Sequence, residues 1–204
     1  MSMKRTTVYF QKPGKENTDE TLKVAIEAAR ERGIDVIIVS STTGKTGLQA
    51  MELLRGSGIR LVVVAHQSGY REPGLQLMPE ETKKKLEEGG ATVVVGTDVL
   101  TGGVEVGISR QPPPKEPLSE AKLPFIVPPV PVIIAHTLRL FSQGVKVCVE
   151  IAMMVADAGV IQISKPLITV AGSHEGADTA MVITPANSNR IRDLKIHEIL
   201  AKPY

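Results

Sequence analysis

Short apolar runs alternate with helical patterns through the first half of the chain. The runs are three to seven residues long, and all but the first are rich in Val and Ile with few polar positions, as is typical of parallel strands covered on both faces. The runs that predict strands lie at residues 8–10, 34–39, 59–65 and 91–95. Segments with apolar positions three and four residues apart separate them, so the pattern predicts a βαβ sheet with helices on both faces.

The predicted helices have recognisable ends. Thr18 precedes two acidic residues and an apolar stripe that ends at Gly33, as expected of a capped helix. A second helix is predicted at residues 48–54. Pro79 opens a third, which ends at Gly89.

The pattern changes in the second half of the chain. Eight of the 14 prolines fall within residues 112–131, so residues 101–131 are predicted to form an ordered, extended arm. A long helical region follows at 132–159, with Gly144 as a kink or break. Strands are predicted at 166–171 and at 179–184, the latter as the last strand. Residues 1–204 therefore form a single domain with a Pro-rich insert.

The long helical region carries one polar stripe that predicts an exposed edge. Its Lys146 and Glu150 are expected to form an ordinary surface pair one turn apart. Cys148 lies between apolar neighbours and is expected to be a buried structural thiol. The residues that make up the stripe are Arg139, Gln143, Lys146, Glu150 and Asp157.

Composition excludes several classes of protein. A net charge of +2, 3% aromatic residues and no Trp argue against a nucleic-acid-binding surface. The single cysteine excludes an internal disulfide, and no Cys/His cluster suggests a metal site. The N-terminal residues lack a signal core, and charged residues interrupt the most apolar stretch, so we expect no membrane span and a cytoplasmic protein.

The stretch "VIIVSSTTGKTGLQ" at 36–49 resembles part of a nucleotide-binding loop. The G-x-x-x-x-G-K-[ST] motif requires glycine at position 39, where this chain has Val39. No aspartate closes a later strand as a magnesium ligand would, with Asp98 the nearest candidate. A triphosphate site is therefore disfavoured.

The loop nevertheless has the chemistry of a phosphate site. Gly44 permits close approach of the backbone, Lys45 supplies a cation, and the following helix directs free N–H groups at the same point. A helix cap built from ordinary turn residues is the alternative, although one hydroxyl would suffice for a cap. The hydroxyl-bearing residues are Ser40, Ser41, Thr42, Thr43 and Thr46.

Two motifs resemble the C-terminal, effector-binding domain of pyruvate kinase. The loop "STTGKT" at 41–46 resembles that domain's phosphate loop, roughly T-x-S-G-R-S. The segment "LITVAGSHEGADTAMVITPA" at 167–186 is similar to its strand, effector loop and final strand, with Gly172, Gly176 and Thr179 near the family's Gly, Gly and Thr. The resemblance covers residues 18–186 apart from the insert.

The resemblance implies a fold and a ligand. It implies a three-layer α/β/α domain with a five-stranded, mostly parallel sheet whose last strand is antiparallel. The catalytic barrel of pyruvate kinase is absent, so kinase activity is not implied. With its insert the chain is similar to stand-alone archaeal proteins related to this domain, which carry bound flavin mononucleotide (FMN) and have no agreed reaction. FMN is therefore the expected cofactor.

Further candidate ligand residues follow the other predicted strands. The alternative for each of them is an ordinary turn residue. His66 could donate to a ligand carbonyl or ring nitrogen, and Asp178 could accept from a ribityl chain or flavin N–H. The full set of these candidates is His66, Gln67, Thr101, Gly102, Gly103, Gly172, Ser173, Asp178 and Thr179.

Three functions remain open at the level of sequence. They are a binding protein for a phosphorylated cofactor, a flavin-dependent oxidoreductase or other enzyme, and a regulatory sensor of a phosphorylated metabolite. Binding ranks first because no nucleophile or acid–base constellation stands out in the sequence. The apolar arm at 101–131 is expected to form part of the ligand pocket or a contact between subunits of a homo-oligomer.

Overall fold

Seven strands form one central sheet in the part of the chain that the structure, a computed structural model, describes: residues 2–109 and 128–204. The order across the sheet is β1-β7-β6-β5-β2-β3-β4. Only β6 is antiparallel to its neighbours among these strands. The strands are β1 (Val8–Phe10), β2 (Val36–Ser40), β3 (Arg60–His66), β4 (Thr92–Gly96), β5 (Leu167–Ala171), β6 (Thr179–Thr184) and β7 (Lys195–Pro203).

Helices cover both faces of the sheet. The helices are α1 (Thr18–Arg32), α2 (Lys45–Leu53), α3 (Glu80–Glu88), α4 (Val104–Ser109), α5 (Val130–Arg139) and α6 (Gln143–Asp157). Helices α1, α2 and α3 pack on one face of the sheet. Helix α6 packs on the other face, and α5 packs against α6. Within the described residues, no helix is both long enough and apolar enough to cross a bilayer.

The buried strand β5 shows how the core is divided. All five of its residues are buried. Ile168 and Val170 join the cluster beneath α1 and α2, whereas Leu167 and Ala171 join the clusters beneath α6. A strand that is buried on both faces requires a continuous apolar sequence, which is the pattern that predicted β2 to β5.

The predicted α/β architecture, with helices on both faces of a mostly parallel sheet, is confirmed. The expectation of five strands is wrong, because β1 and β7 extend the sheet beyond β6. The strand at Thr179–Thr184 is antiparallel as expected, but it is not the last strand. The sequence of β7, "KIHEILAKP", contains no continuous apolar run of the kind that predicted the other strands. Its first half lies near the surface, where such a run is not required.

The long helical region is divided where the chain turns at Leu140–Ser142, not at the predicted Gly144. Ser142 caps α6 by accepting a hydrogen bond from the Val145 N–H at 3.0 Å. Gly144 lies in the first turn of α6, where a Cβ would come within 2.1 Å of the Thr179 hydroxyl. Its glycine therefore permits close packing of α6 on β6.

The prediction that Lys146 and Glu150 form a surface pair is wrong. Both residues are buried, each 3% exposed. The pair is buried because α6 turns this side towards the loop after β4, which supplies Thr101 as an additional partner.

The Pro-rich insert is described only at its ends. The prediction that residues 101–131 are extended is wrong at both ends, because Val104–Ser109 form the helix α4 and the helix α5 begins at Val130. Residues 110–127 lie outside the described residues, and with them most of the arm for which a pocket or subunit contact is predicted.

Candidate ligand site at the carboxyl edge of the sheet

Four parallel strands end at one edge of the sheet, and the predicted site residues lie just beyond them. Ser40 of β2 pairs with Val64 of β3, and His66 of β3 pairs with Gly96 of β4. Because β6 is antiparallel, its first residue also lies at this edge, opposite Ala171. The fold therefore brings the predicted residues of all four loops to one edge of the sheet.

The loop between β2 and α2 has a defined backbone geometry. The Ser41 N–H donates to the Val64 carbonyl at 2.9 Å, which continues the pairing of β2 with β3 beyond Ser40. The buried Ser41 hydroxyl accepts from the Gly47 N–H at 3.1 Å. The Ser41 hydroxyl therefore satisfies one N–H group in the first turn of α2, which is a structural role that needs no phosphate.

The start of α2 leaves hydrogen-bond donors available. The N–H groups of Lys45 and Thr46 have no hydrogen-bond partner among the described residues. The Lys45 side chain is exposed and forms no ion pair within that part of the chain. Thr43 is exposed, Thr42 is half-buried and Thr46 is buried. Two free N–H groups and a cation at a helix N-terminus are suited to an anion.

Gly44 has a structural role that needs no ligand. Its φ of 87° is in the left-handed region, which glycine adopts without strain. A Cβ at this position would lie 2.3 Å from Thr82 Cγ2 on α3. The absence of a side chain thus allows α3 to pack over the turn.

An imidazole–carboxylate pair is formed by the last residue of β3 and a residue just after β4. His66 Nδ1 is 2.9 Å from Asp98 Oδ1, and Asp98 is buried. The ring of Tyr70 stacks on the His66 ring at 3.8 Å with an interplanar angle of 4°. The side chain of Gln67 accepts from the Asp98 N–H at 3.4 Å. Asp98 is not among the predicted site residues. Its position two residues after β4, next to the strand that ends in His66, could have indicated that it belongs to the site.

Buried charges of α6 hold the turn that carries Asp98. The Leu100 N–H donates to Glu150 Oε1 at 2.9 Å, and Lys146 donates to Glu150 and, at 2.9 Å, to the Thr101 hydroxyl. The Gly102 N–H closes the turn on the Asp98 carbonyl at 2.7 Å. Thr101 and Gly102 thus belong to a fixed turn, while a Cβ on Gly103 would meet open space.

The loop between β5 and β6 is held by Asp178, which is fully buried. Its Oδ2 accepts from the N–H groups of Gly14 at 3.2 Å and Ser173 at 3.1 Å, and its Oδ1 accepts from the Thr179 hydroxyl at 2.8 Å. The carboxylate therefore ties the loops after β1 and β5 together. Gly172 packs closely as well, since a Cβ there would lie 2.5 Å from the Gly176 carbonyl oxygen.

Two open depressions lie at the opposite, amino edge of the sheet. The larger, of about 640 Å³, includes Arg5, Arg32, His197 and Glu198 in its lining. Arg32 donates to both carboxylate oxygens of Glu198, at 3.1 and 2.8 Å. These hydrogen bonds raise the pKa of Arg32 and lower that of Glu198. The two charges offset each other, so we interpret the pair as a tie between α1 and β7.

The smaller depression, of about 280 Å³, also lies at the amino edge, beside Asp35, Arg60 and Lys165. Neither depression contains a predicted site residue. Within residues 2–109 and 128–204, no group of three or more His, Cys, Asp or Glu side chains is arranged to hold a metal ion.

No protein-family model matches the sequence.

Proposed function

We propose that the protein binds a phosphorylated small molecule at the carboxyl edge of the sheet, with its phosphate at the loop that contains Gly44 and Lys45. The observation that carries this proposal is the start of α2, where the N–H groups of Lys45 and Thr46 lack partners in the described part of the chain. Phosphate oxygens are strong acceptors, and a helix N-terminus favours negative charge. The exposed Lys45 would add a charge-assisted hydrogen bond.

FMN is the ligand that we propose, on the strength of the resemblance to the pyruvate kinase C-terminal domain. The residues present fit a molecule that joins a phosphate to a flat ring system. Besides the phosphate loop, the same edge carries the stacked pair of His66 and Tyr70, of which Tyr70 is 43% exposed. Gln67, Gly103 and Ser173 offer further polar contacts there. When bound, FMN would supply redox chemistry, whereas the protein would bind and orient it.

Calorimetric titration of FMN and of riboflavin, which lacks the phosphate, tests this proposal. Lys45→Ala should weaken FMN binding by about tenfold or more, because a charge-assisted hydrogen bond contributes about 1.5–3 kcal/mol. Riboflavin affinity should stay unchanged. Lys23→Ala is a matched control, since it removes an exposed lysine from α1 without touching the loop.

Two results would contradict the proposal in different ways. Equal losses for FMN and riboflavin in Lys45→Ala would mean that Lys45 does not contact the phosphate. Failure of the unmodified protein to bind either flavin, together with a colourless purified protein, would exclude FMN as the ligand.

A further inference from the structure

We propose that His66 and Asp98 form a proton-transfer pair, in which Nε2 of His66 exchanges a proton with the molecule bound at the carboxyl edge. The place of that molecule rests on the proposed function, whereas the pair itself rests on the geometry of β3 and β4. The sequence does not reveal this pair, since the two residues are 32 positions apart.

The contact with Asp98 fixes the tautomer of His66. A carboxylate oxygen can only accept a hydrogen bond, so Nδ1 of His66 must carry the proton that lies between them. In the neutral ring the lone pair then belongs to Nε2. Nε2 has no hydrogen-bond partner among the described residues, and 26% of the His66 side chain is exposed. The basic nitrogen is therefore open to a ligand.

The structure holds both members of the pair in place. Asp98 sits in the turn that Glu150 holds through the Leu100 N–H, and its own N–H donates to Gln67. Tyr70 covers one face of the imidazole, and the Gln76 side chain donates to the His66 carbonyl at 3.1 Å. A base that is oriented by a buried carboxylate and restrained in its ring plane is the arrangement that general acid–base catalysis requires.

The pair lies at the same edge of the sheet as the proposed phosphate loop. The loop leaves the sheet at Ser41, whose N–H bonds to the Val64 carbonyl, two residues before His66. Val62 and Val64 pack with α6, so by strand alternation His66 lies on that side of the sheet, whereas α2 packs on the other side. Neighbouring strands are about 4.8 Å apart, so a molecule that extends across the end of the sheet can contact both the start of α2 and the His66 ring. The substrate class is thus a phosphorylated molecule that bears an ionisable O–H, N–H or activated C–H group away from its phosphate.

The proton transfer needs no partner other than the ligand. The Nε2 lone pair takes the proton, and the electrons of the broken bond stay on the ligand. The positive charge of the resulting imidazolium then faces the Asp98 carboxylate across Nδ1. Return of the same proton, to the original atom or to another, regenerates the neutral ring.

Two measurements on the ligand-free protein test the pair. Long-range ¹H–¹⁵N NMR spectra distinguish the histidine tautomers, and we expect the Nδ1–H form for His66. Asp98→Asn should shift His66 towards the Nε2–H form, because the amide can donate to Nδ1. Diethyl pyrocarbonate acylates unprotonated imidazole nitrogens, and we expect rapid modification of His66, located by mass spectrometry. An Nε2–H tautomer or an unreactive His66 in the unmodified protein would overturn the proposal, whether or not Asp98→Asn folds.

A third measurement tests the contact with the ligand. Saturating FMN should slow acylation of His66 at least tenfold. His197 is an internal control, because it is exposed at the amino edge and its Nε2 lies 2.8 Å from the Thr184 hydroxyl. Calorimetric binding of FMN without protection of His66 would overturn the proton-transfer role and leave the binding function intact. Absence of FMN binding would instead contradict the proposed function, and the ligand-free spectra would still decide the pair.

Discussion

Lys146 and Glu150 form an ion pair one turn apart in α6, where each side chain is only 4% exposed. Glu150 also accepts from the Leu100 N–H and from the Thr101 hydroxyl, which joins α6 to the turn that carries Asp98. The pair therefore connects the helical layer on one face of the sheet to the candidate ligand site.

Removal of one charge should be far more costly than removal of both. Lys146→Met should lower the free energy of unfolding by about 3–5 kcal/mol, because it leaves the Glu150 carboxylate buried without its partner. The double variant Lys146→Met/Glu150→Gln should lose clearly less, since it buries no charge and keeps an acceptor for the Leu100 N–H. Urea denaturation of the three proteins checks this, and a double variant less stable than Lys146→Met would contradict it.

Gly44→Ala should destabilise the protein for two reasons. The residue would keep a positive φ and meet Thr82, so we expect a loss of about 1–3 kcal/mol in thermal or urea unfolding. Gly33→Ala is the matched control, because Gly33 has a φ of 64° but open space around it. Its loss should be about 1 kcal/mol. Similar losses of stability for the two variants would show that α3 moves to accommodate the new methyl group.

Glu198→Gln should destabilise the protein by about 1 kcal/mol at neutral pH, because it weakens a two-point contact with Arg32 whose members are only partly exposed. The hydrogen bond from Arg32 lowers the pKa of Glu198 below its ordinary 4.5. Its stabilisation is therefore complete above that value and is lost as the pH falls through the lowered pKa. The difference in stability between the two proteins should shrink over this acid range.

Glu81→Gln is a suitable comparison for that experiment. Lys85 lowers the pKa of Glu81, but both side chains are exposed on α3. Solvent and salt screen such a pair, so this variant should unfold like the unmodified protein at neutral pH. A loss equal to that of Glu198→Gln would mean that the Arg32 contact contributes nothing specific.

Cys148 should not react with thiol reagents in the folded protein. Burial raises the pKa of its thiol to about 12, and its Sγ lies 3.6 Å from the Thr169 carbonyl oxygen. At pH 8 only about one thiol in 10⁴ is then ionised. Addition of Ellman's reagent at pH 8 should give no colour until a denaturant is added, and a fast reaction without denaturant would contradict the burial.

The same thiol should make stability depend on alkaline pH. Its pKa rises from 9.0 in the unfolded chain to about 12 in the folded one, so the folded state keeps the proton more tightly. Stability is unaffected below pH 9 and falls as the pH rises from 9 towards 12. Cys148→Ala lacks this contribution. The free energy of unfolding of the unmodified protein, relative to that of the variant, should therefore fall as the pH rises from 9 towards 12.

The sequence was informative where burial imposes a repeating pattern. Strands β2, β3 and β5 were predicted because both of their faces are covered, which requires continuous apolar runs. Strand β4 has the same apolar pattern, although it lies at the edge of the sheet and its Val95 is exposed. Strand β7 was missed because its first three residues are exposed and only Leu200 and Ala201 are fully buried. The proposed phosphate loop could be picked out as a candidate because its chemistry is local, confined to six consecutive residues.

Pairings between distant residues could not be read from the sequence. Asp178 resembles an exposed turn residue, yet the loop after β1 buries it with the Gly14 N–H. Lys146 and Glu150 have the spacing of a surface pair, and only the turn at Thr101 buries them. The contact of His66 with Asp98 depends on the register of β3 against β4, which sets His66 opposite Gly96.

The position of β7 between β1 and β6 has a consequence for biosynthesis. Among the described strands β1 is made first and β7 last, yet β1 pairs only with β7, with Val8 opposite Ala201. During synthesis β1 therefore cannot join the sheet until almost the entire chain has been made, whereas β2, β3 and β4 can pair with their neighbours earlier. Closure of this long loop is expected to be a late and slow step in folding. A nascent chain stalled before Lys195 would leave both β1 and the edge of β6 without a partner strand, as surfaces prone to aggregation.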